Sequence, residues 1–230
     1  MGINPAFDLG RVALFKGLNG CDLTGLLAAA QRIALSRDSA FFHEEDAATR
    51  CYLLVRGQVK LVQHAPEGGQ VILRFIAPGE MFGWATLMGG SVYPASAETL
   101  VDSVALAWDN AAMERAVRAH PTMALNALAI MGGRLREAEE RLRELATERV
   151  ERRLARALLR LGEQSGRATA NGVEIPFPLS RQLLAETTGA TLHTVSRILA
   201  AWEQQGIITG GRQRLALSAP DRIRTLAESG

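Results

Sequence analysis

The chain has 230 residues, 47% of them hydrophobic, and a formal net charge of +2, the profile of an ordinary globular protein of one or two domains. Its two cysteines, Cys21 and Cys51, are too few for a disulfide framework or a four-thiolate cluster, and no run approaches the ~20 apolar residues of a membrane span. Met1 to Phe15 lacks the basic end and apolar block of a signal peptide, so a cytoplasmic protein without membrane contact is expected.

Residues from Phe15 to about Ala34 read as a short helical lead-in, with Leu23, Leu26, Leu27 and Ala30 on one face. From Arg32 to Asp109 the texture changes to short β-type runs: Cys51 to Val55, Val59 to Gln63, Val71 to Ile76 and Val104 to Trp108. Glycine and polar turns separate them, and Pro66-Glu67-Gly68-Gly69 has the composition of a hairpin turn. Regularly spaced short strands predict a β sandwich or barrel. The sequence carries no nucleophile elbow, phosphate loop, metal-ligand spacing or paired carboxylates with a cleft signature, so no enzyme is expected.

Asp109 is placed to cap a short helix, Asn110 to Arg118, and Pro121 opens a long one at the position that tolerates proline best. Along it Leu128, Leu135 and Leu142 recur every seven residues, and Met131, Ala138 and Leu145 form a second series offset by three. The two series make an a/d seam over about three heptads, flanked by Arg and Glu. A stripe this narrow fits a partner helix better than the broad face of a helix lying on its own sheet, so a homodimer is expected. Pro121 to Leu145 would span roughly 37 Å at ~1.5 Å per residue. Ala146-Thr147 reads as the joint to a further helix, Glu148 to Leu161.

Beyond it, Ser180 stands where an N-cap belongs, before Leu183 and Leu184, and Gly189 breaks that helix. Thr191 caps the next helix, which runs to about Gln205 and stops at Gly206. Ile207 and Ile208 start a strand, Gly210-Gly211 turn the chain, and Leu215 and Leu217 return it. This is a winged helix-turn-helix pattern. On its second helix Leu192, Val195, Leu199 and Trp202 are expected to face the core, while His193, Ser196, Arg197 and Ala200 share the opposite side. A recognition helix sets such a face against base edges in double-stranded DNA, where Arg donates twice to guanine and Ser bonds to several bases. Thr191, Arg181 and the wing residues Arg212 and Arg214 are the candidates for phosphate contacts. From Thr147 onward the chain carries 12 Arg against 8 acidic residues, so the basic excess lies with this segment.

The order of strands, long helix and winged helix-turn-helix resembles the CRP/FNR family of bacterial transcription regulators over essentially the whole chain. The resemblance rests on LFKGL at Leu14 to Leu18, LVRGQVKL at Leu54 to Leu61, APGEMFGWATLMGG at Ala77 to Gly90, ERVERRLARALLRL at Glu148 to Leu161 and TLHTVSRIL at Thr191 to Leu199. In these motifs Gly57 suits a strand turn, and Gly79 and Gly83 suit close backbone approach. The resemblance implies an α+β chain: an N-terminal double-stranded β-roll of the cyclic-nucleotide-binding type (residues 1–120), a dimerisation helix (121–146) and a C-terminal winged helix-turn-helix (147–230). It further implies a homodimer on an inverted repeat with TTG-type half-sites, and contact with RNA polymerase.

Departures from the family pattern narrow the signal. The cyclic-AMP branch carries a Glu soon after the glycine matching Gly83 and an Arg-Ser-Ala run that holds the cyclic phosphate; here those places read Trp84-Ala85 and Ala95-Ser96-Ala97, which argues against cAMP. The N-terminal cysteine cluster of the oxygen-sensing branch is missing, which argues against an iron-sulfur cluster. Where that branch has Glu-x-x-Ser-Arg, this chain has His193-x-x-Ser196-Arg197, so preference at the base facing His193 should differ. His193 and the Tyr93 to Asp109 stretch look like the NnrR-type regulators, which respond to nitric oxide. Haem is then the candidate cofactor and needs an axial ligand. His43, His64, Met81, Met88, Cys51 and Tyr93 are available, and their neighbours single none of them out. Met81, Trp84, Met88, Tyr93 and Ser96 are the candidates for an effector pocket, although Met81, Trp84 and Met88 equally suit a core. The alternative is an effector-independent regulator whose roll serves only as a scaffold for dimerisation and RNA polymerase contact.

Overall fold

The computed structural model describes residues 7–65, 68–84, 89–170, 172–211 and 214–228. The chain forms two compact units, one of residues 1–63 and 76–137, the other of residues 64–75 and 138–230.

In the first unit two short 3-10 turns precede α1 (Gly20–Ala28), whose N-cap Asn19 accepts from the Asp22 amide at 3.0 Å. The lead-in helix ends earlier than its apolar pattern predicts, because β1 (Gln31–Leu35) already includes Ala34. Ile33 pairs there with Ala105, and sheet pairing outweighs the helical preference of an Ala/Leu-rich run. Seven further strands follow along the chain: β2 (Ala40–Phe42), β3 (Arg50–Arg56), β4 (Val59–His64), β5 (Gln70–Ile76), β6 (Met81–Phe82), β7 (Ser96–Thr99) and β8 (Ser103–Asp109); of these β5 belongs, but for Ile76, to the second unit. Those of the first unit form a four-stranded sheet, ordered β1-β8-β3-β6, and a second sheet in which β2, β7 and β4 are successive neighbours. Strands β2, β6 and β7 are two to four residues long, too short for alternation to announce them.

Strand alternation divides the interior. On β3, Cys51 and Leu53 face a cluster with Phe15, Met81, Leu106, Trp108 and Met123; Tyr52 and Leu54 face a second one with Phe42, Phe82, Tyr93, Ala97 and Ala105. The Trp108 indole donates to the Leu26 carbonyl at 2.8 Å, tying α1 to the sheet. Helix α2 (Asn110–Ala119) starts at Asp109, whose carboxylate accepts from the Ala112 amide at 2.6 Å, and α3 runs from Pro121 to Thr147.

The second unit holds the last turns of α3, then α4 (Val150–Ser165), β9 (Arg167–Thr169), β10 (Gly172–Ile175), α5 (Arg181–Thr188), α6 (Leu192–Gln204), β11 (Ile208–Gly211), β12 (Arg214–Leu217) and α7 (Pro220–Glu228). Its sheet is ordered β11-β12-β10-β9, and the Ile208↔Leu217 pairing makes β11 and β12 the wing. Trp202 and Leu199 on α6 are buried with Leu154 and Leu158 of α4 in the core of this unit. No helix among the described residues is long and apolar enough to cross a membrane.

Two buried carboxylates lie at the junction of α3 and α4. Glu144 accepts two bonds from Arg160, at 2.7 and 3.1 Å, and Glu148 lies 3.2 Å from Arg156 and 3.6 Å from Arg152. The Glu148 carbonyl also accepts from Arg153 at 2.7 Å, and Arg153 donates on to Thr188 of α5. Removing one member of a buried pair strands the other charge in a poorly solvated place. Glu144→Ala is therefore expected to cost about 2–3 kcal/mol, less than for a fully buried pair because Arg160 keeps partial solvent access. Urea unfolding of the variant checks this, and an unchanged midpoint would show that the pair contributes nothing.

Candidate functional site

The helix-turn-helix forms because each local signal agrees with the next. Ser180 Oγ accepts from the Leu183 amide at 3.0 Å and opens α5. Gly189 closes it with φ +60°, a left-handed conformation that an L side chain rarely adopts, and a Cβ there would also meet Leu145 Cδ2 at 3.0 Å. Two residues later Thr191 Oγ1 accepts from the Thr194 amide at 3.2 Å and opens α6.

Val195, Ile198, Leu199 and Trp202 form the buried face of α6. Leu192 does not join them: it is 48% exposed, which corrects the expectation that it packs in the core. It occupies the first helical position, where no preceding turn covers it, and Ile198 fills the apolar face instead. His193 and Arg197 are exposed, with Ser196 and Ala200 half-buried beside them. Neither the His193 nor the Arg197 side chain has a hydrogen-bond or ion-pair partner among the described residues. The open end of α6 thus presents Leu192, His193, Ser196 and Arg197 together. At the start of α5, Arg181 lies 3.7 Å from Glu203. Arg212 lies outside the described residues, as does the side chain of Arg214, whose backbone pairs with Gly211.

Along α3, Leu128, Leu135, Leu142 and Leu145 are 52–69% exposed in the single chain, and Ala138 is exposed with them. Leu125, at 67%, extends the same face by a turn; the seven-residue series passes over it because it falls three residues before Leu128. Met131, expected in the same series, is half-buried and packs on the roll core.

The roll holds a cavity of about 380 Å³ whose lining includes Phe42, Phe82, Trp84, Tyr93, Met131 and Arg134. Gly83 bends the chain into it with φ +70°, and a Cβ there would meet Phe42 at 2.8 Å and Tyr52 at 2.9 Å, so close approach does require glycine. Gly79 differs: a Cβ would meet nothing within 4 Å, and the positive φ of +94° is what favours glycine. Of the expected pocket residues Trp84 and Tyr93 line the cavity. Met81 does not, because it neighbours Phe82 on β6 and so points to the opposite face. Ser96 does not either: Ala95 lines the cavity and Ala97 joins the inner cluster, so alternation turns Ser96 away, where its hydroxyl accepts from the Glu44 amide at 2.9 Å. Met88 lies outside the described residues. Arg134 is a lining residue that the sequence reading missed, since it looked like one of the charges flanking the seam. Its guanidinium sits 4.9 Å over the Trp84 ring and donates to the Met81 carbonyl at 2.9 Å.

Residues 32–120 match the model of the cyclic nucleotide-binding domain, and residues 152–226 that of the Crp-like helix-turn-helix domain. The cyclic AMP receptor protein of Thermus thermophilus is 31% identical over 86% of this chain and 88% of its own length. The nitrogen fixation regulation protein FixK of Azorhizobium caulinodans is 31% identical over 76% of this chain and 69% of its own length. The chain belongs to the CRP/FNR family. Among solved structures this CRP/FNR regulator is similar to FixK2 from Bradyrhizobium japonicum, with a TM-score of 0.77 and 27% identity, covering 87% of this chain and 98% of that one. The expected α+β order of roll, long helix and winged helix-turn-helix is the order observed. Like other CRP/FNR regulators it is a DNA-binding transcription factor; its relatives are regulators, not enzymes.

Proposed function

We propose that this CRP/FNR regulator binds an inverted repeat as a homodimer and that a signal received in the roll controls that binding. The observation that carries this reading is the unpartnered row at the open end of α6. Within it Arg197 donates to guanine, Ser196 to a neighbouring base, and His193 reads the position at which this chain departs from the oxygen-sensing branch. Thr191, Arg181, Arg212 and Arg214 hold phosphates. The leucine face of α3 pairs with its copy across a two-fold axis, which sets two recognition helices about one DNA turn (~34 Å) apart. The test is a competition titration with a duplex carrying TTG and CAA half-sites one turn apart. Preference over a scrambled duplex of at least about 10³ is expected. Equal binding to both would refute the reading.

Leu192 adds a contact with a distinct signature. An exposed apolar side chain beside Ser196 suits the methyl group of thymine. Replacing the half-site thymines by deoxyuridine, one at a time, is expected to weaken binding several-fold at one position. Leu192→Ala should abolish that difference; a wild-type protein indifferent to every replacement would rule the contact out.

The roll cavity supports an effector-controlled protein over a scaffold that needs no signal. It departs from the cyclic-nucleotide pattern: Trp84 and Ala95 line it where the cyclic-AMP branch has its ribose and phosphate partners, and a ribose hydroxyl buried against Trp84 without a hydrogen bond is costly. The nitric-oxide reading rests on His193 and the Tyr93–Asp109 stretch. Among the described candidate ligands, which leave out Met88, none suits a haem in this cavity. His43 and His64 are exposed and do not line it, and the Tyr93 hydroxyl bonds to the Arg50 backbone. Cys51 is buried in the other cluster, where burial pushes its thiol up to about 12. Met81 belongs to that cluster too. No step is therefore assigned to haem.

A further inference from the structure

We propose that Glu203 is a resident counter-charge for Arg181, which competes with DNA phosphate and so limits the affinity of the helix-turn-helix; this rests on the reading of Arg181 as a phosphate contact. Arg181 opens α5 and Glu203 lies near the end of α6, and the fold of the second unit brings the guanidinium to 3.7 Å from the carboxylate. Glu203 stands seven residues beyond Ser196, about two helical turns, so it continues the face that presents Ser196 and Arg197. A carboxylate on a face that approaches phosphates is repelled by them. Packing does not account for its place there, since the Glu203 side chain is 37% exposed.

The wing is the third element at this place. A Cβ on Gly210 of β11 would collide with Glu203 Oε1, the end of a flexible side chain, so the glycine keeps open the space in which Glu203 reaches Arg181. The pair is one that exchanges readily. At 3.7 Å it is a charge contact without a hydrogen bond, and the Arg181 side chain is 47% exposed, open to a phosphate. An exposed ion pair of this kind is weak, whereas a phosphate oxygen takes a short charge-assisted hydrogen bond from a guanidinium. Arg181 therefore passes to the phosphate when DNA binds, and Glu203 is left without its partner among like charges. That cost falls on every duplex alike, because a phosphate contact carries no sequence information.

The test uses Glu203→Gln and Arg181→Ala, singly and together, in the full-length protein. Each is titrated with the inverted-repeat duplex and a scrambled one at several salt concentrations. Glutamine keeps the shape of an exposed side chain, so the fold is retained. Glu203→Gln is expected to tighten both duplexes by about three- to tenfold at ~0.1 M salt, to leave their ratio unchanged within about twofold, and to steepen the salt dependence. Arg181→Ala should weaken both, and in its background the gain from Glu203→Gln should shrink to about twofold or less. Unchanged binding by Glu203→Gln would overturn the proposal. Weaker binding would overturn it too, by making the carboxylate a group that orients Arg181 for DNA. The same gain with and without Arg181 would also overturn it, since Glu203 would then act through net charge alone. If Arg181→Ala binds as tightly as the unaltered protein, the phosphate assignment falls and the proposal falls with it. If Arg181→Ala weakens binding while Glu203→Gln does not tighten it, the proposal falls alone.

Discussion

Leu135→Glu is expected to convert the protein to a monomer and to reduce its affinity for the inverted repeat by about 10²- to 10⁴-fold. Leu135 sits mid-way along the exposed face of α3, 62% accessible in the single chain, with Leu128 and Leu142 one heptad to either side. Burying a leucine is worth about 1.5–3 kcal/mol, and a two-fold axis counts every such contact twice. Glutamate at the same place loses that burial and sets like charges against each other across the seam. The second half-site then binds as a separate event, without the effective concentration that linkage provides. Sedimentation equilibrium and a DNA titration on the same sample check both parts. A Leu135→Glu protein that stays dimeric would place the dimer contact elsewhere.

Arg197→Ala is expected to cost about 1–3 kcal/mol per half-site and to level the difference between specific and scrambled duplexes. Arg197 stands exposed on the outer face of α6, opposite buried Val195 and Trp202, so truncation leaves the fold of this unit intact. The loss is one of sequence reading, because a bidentate Arg–guanine contact has no equivalent at other bases. Arg197→Lys keeps the charge but not the fork, and is expected to recover non-specific binding more than preference. Binding measured at two salt concentrations separates the effects: a base contact changes the specificity ratio, a phosphate contact the salt slope. A variant that weakens both duplexes equally would move Arg197 into the phosphate-contacting set.

The elements most legible in the sequence were those whose signals were local and repeated. Ser180, Gly189 and Thr191 mark the helix-turn-helix by capping chemistry alone, and each makes its cap or turn in the structure. The leucine series on α3 shows as a seven-residue period before any partner is considered. Leu192 was misread because helical periodicity describes a face but not the end of a helix, where the first residue has no turn above it. Strands β2, β6 and β7 were invisible because two to four residues leave no period to find. Arg134 was missed for another reason. In sequence it belongs to a run of charges on a solvated helix, and only the fold brings Trp84, fifty residues earlier, beneath it. Met81 and Ser96 show the converse, since a neighbour's position on a strand decides which side of the sheet a residue faces.

The central claim, a two-fold dimer reading two half-sites on one face of the duplex, is tested most directly by half-site spacing. The measurement is the affinity of the full-length protein for duplexes in which about five, then about ten, base pairs are inserted between the half-sites. About five base pairs turn one half-site to the opposite face of the DNA, and about ten return it. The account predicts that the first insertion reduces binding to the level of a single half-site and that the second restores part of it. Affinity that ignores spacing, or survives unchanged with one half-site removed, would contradict a dimer acting on an inverted repeat.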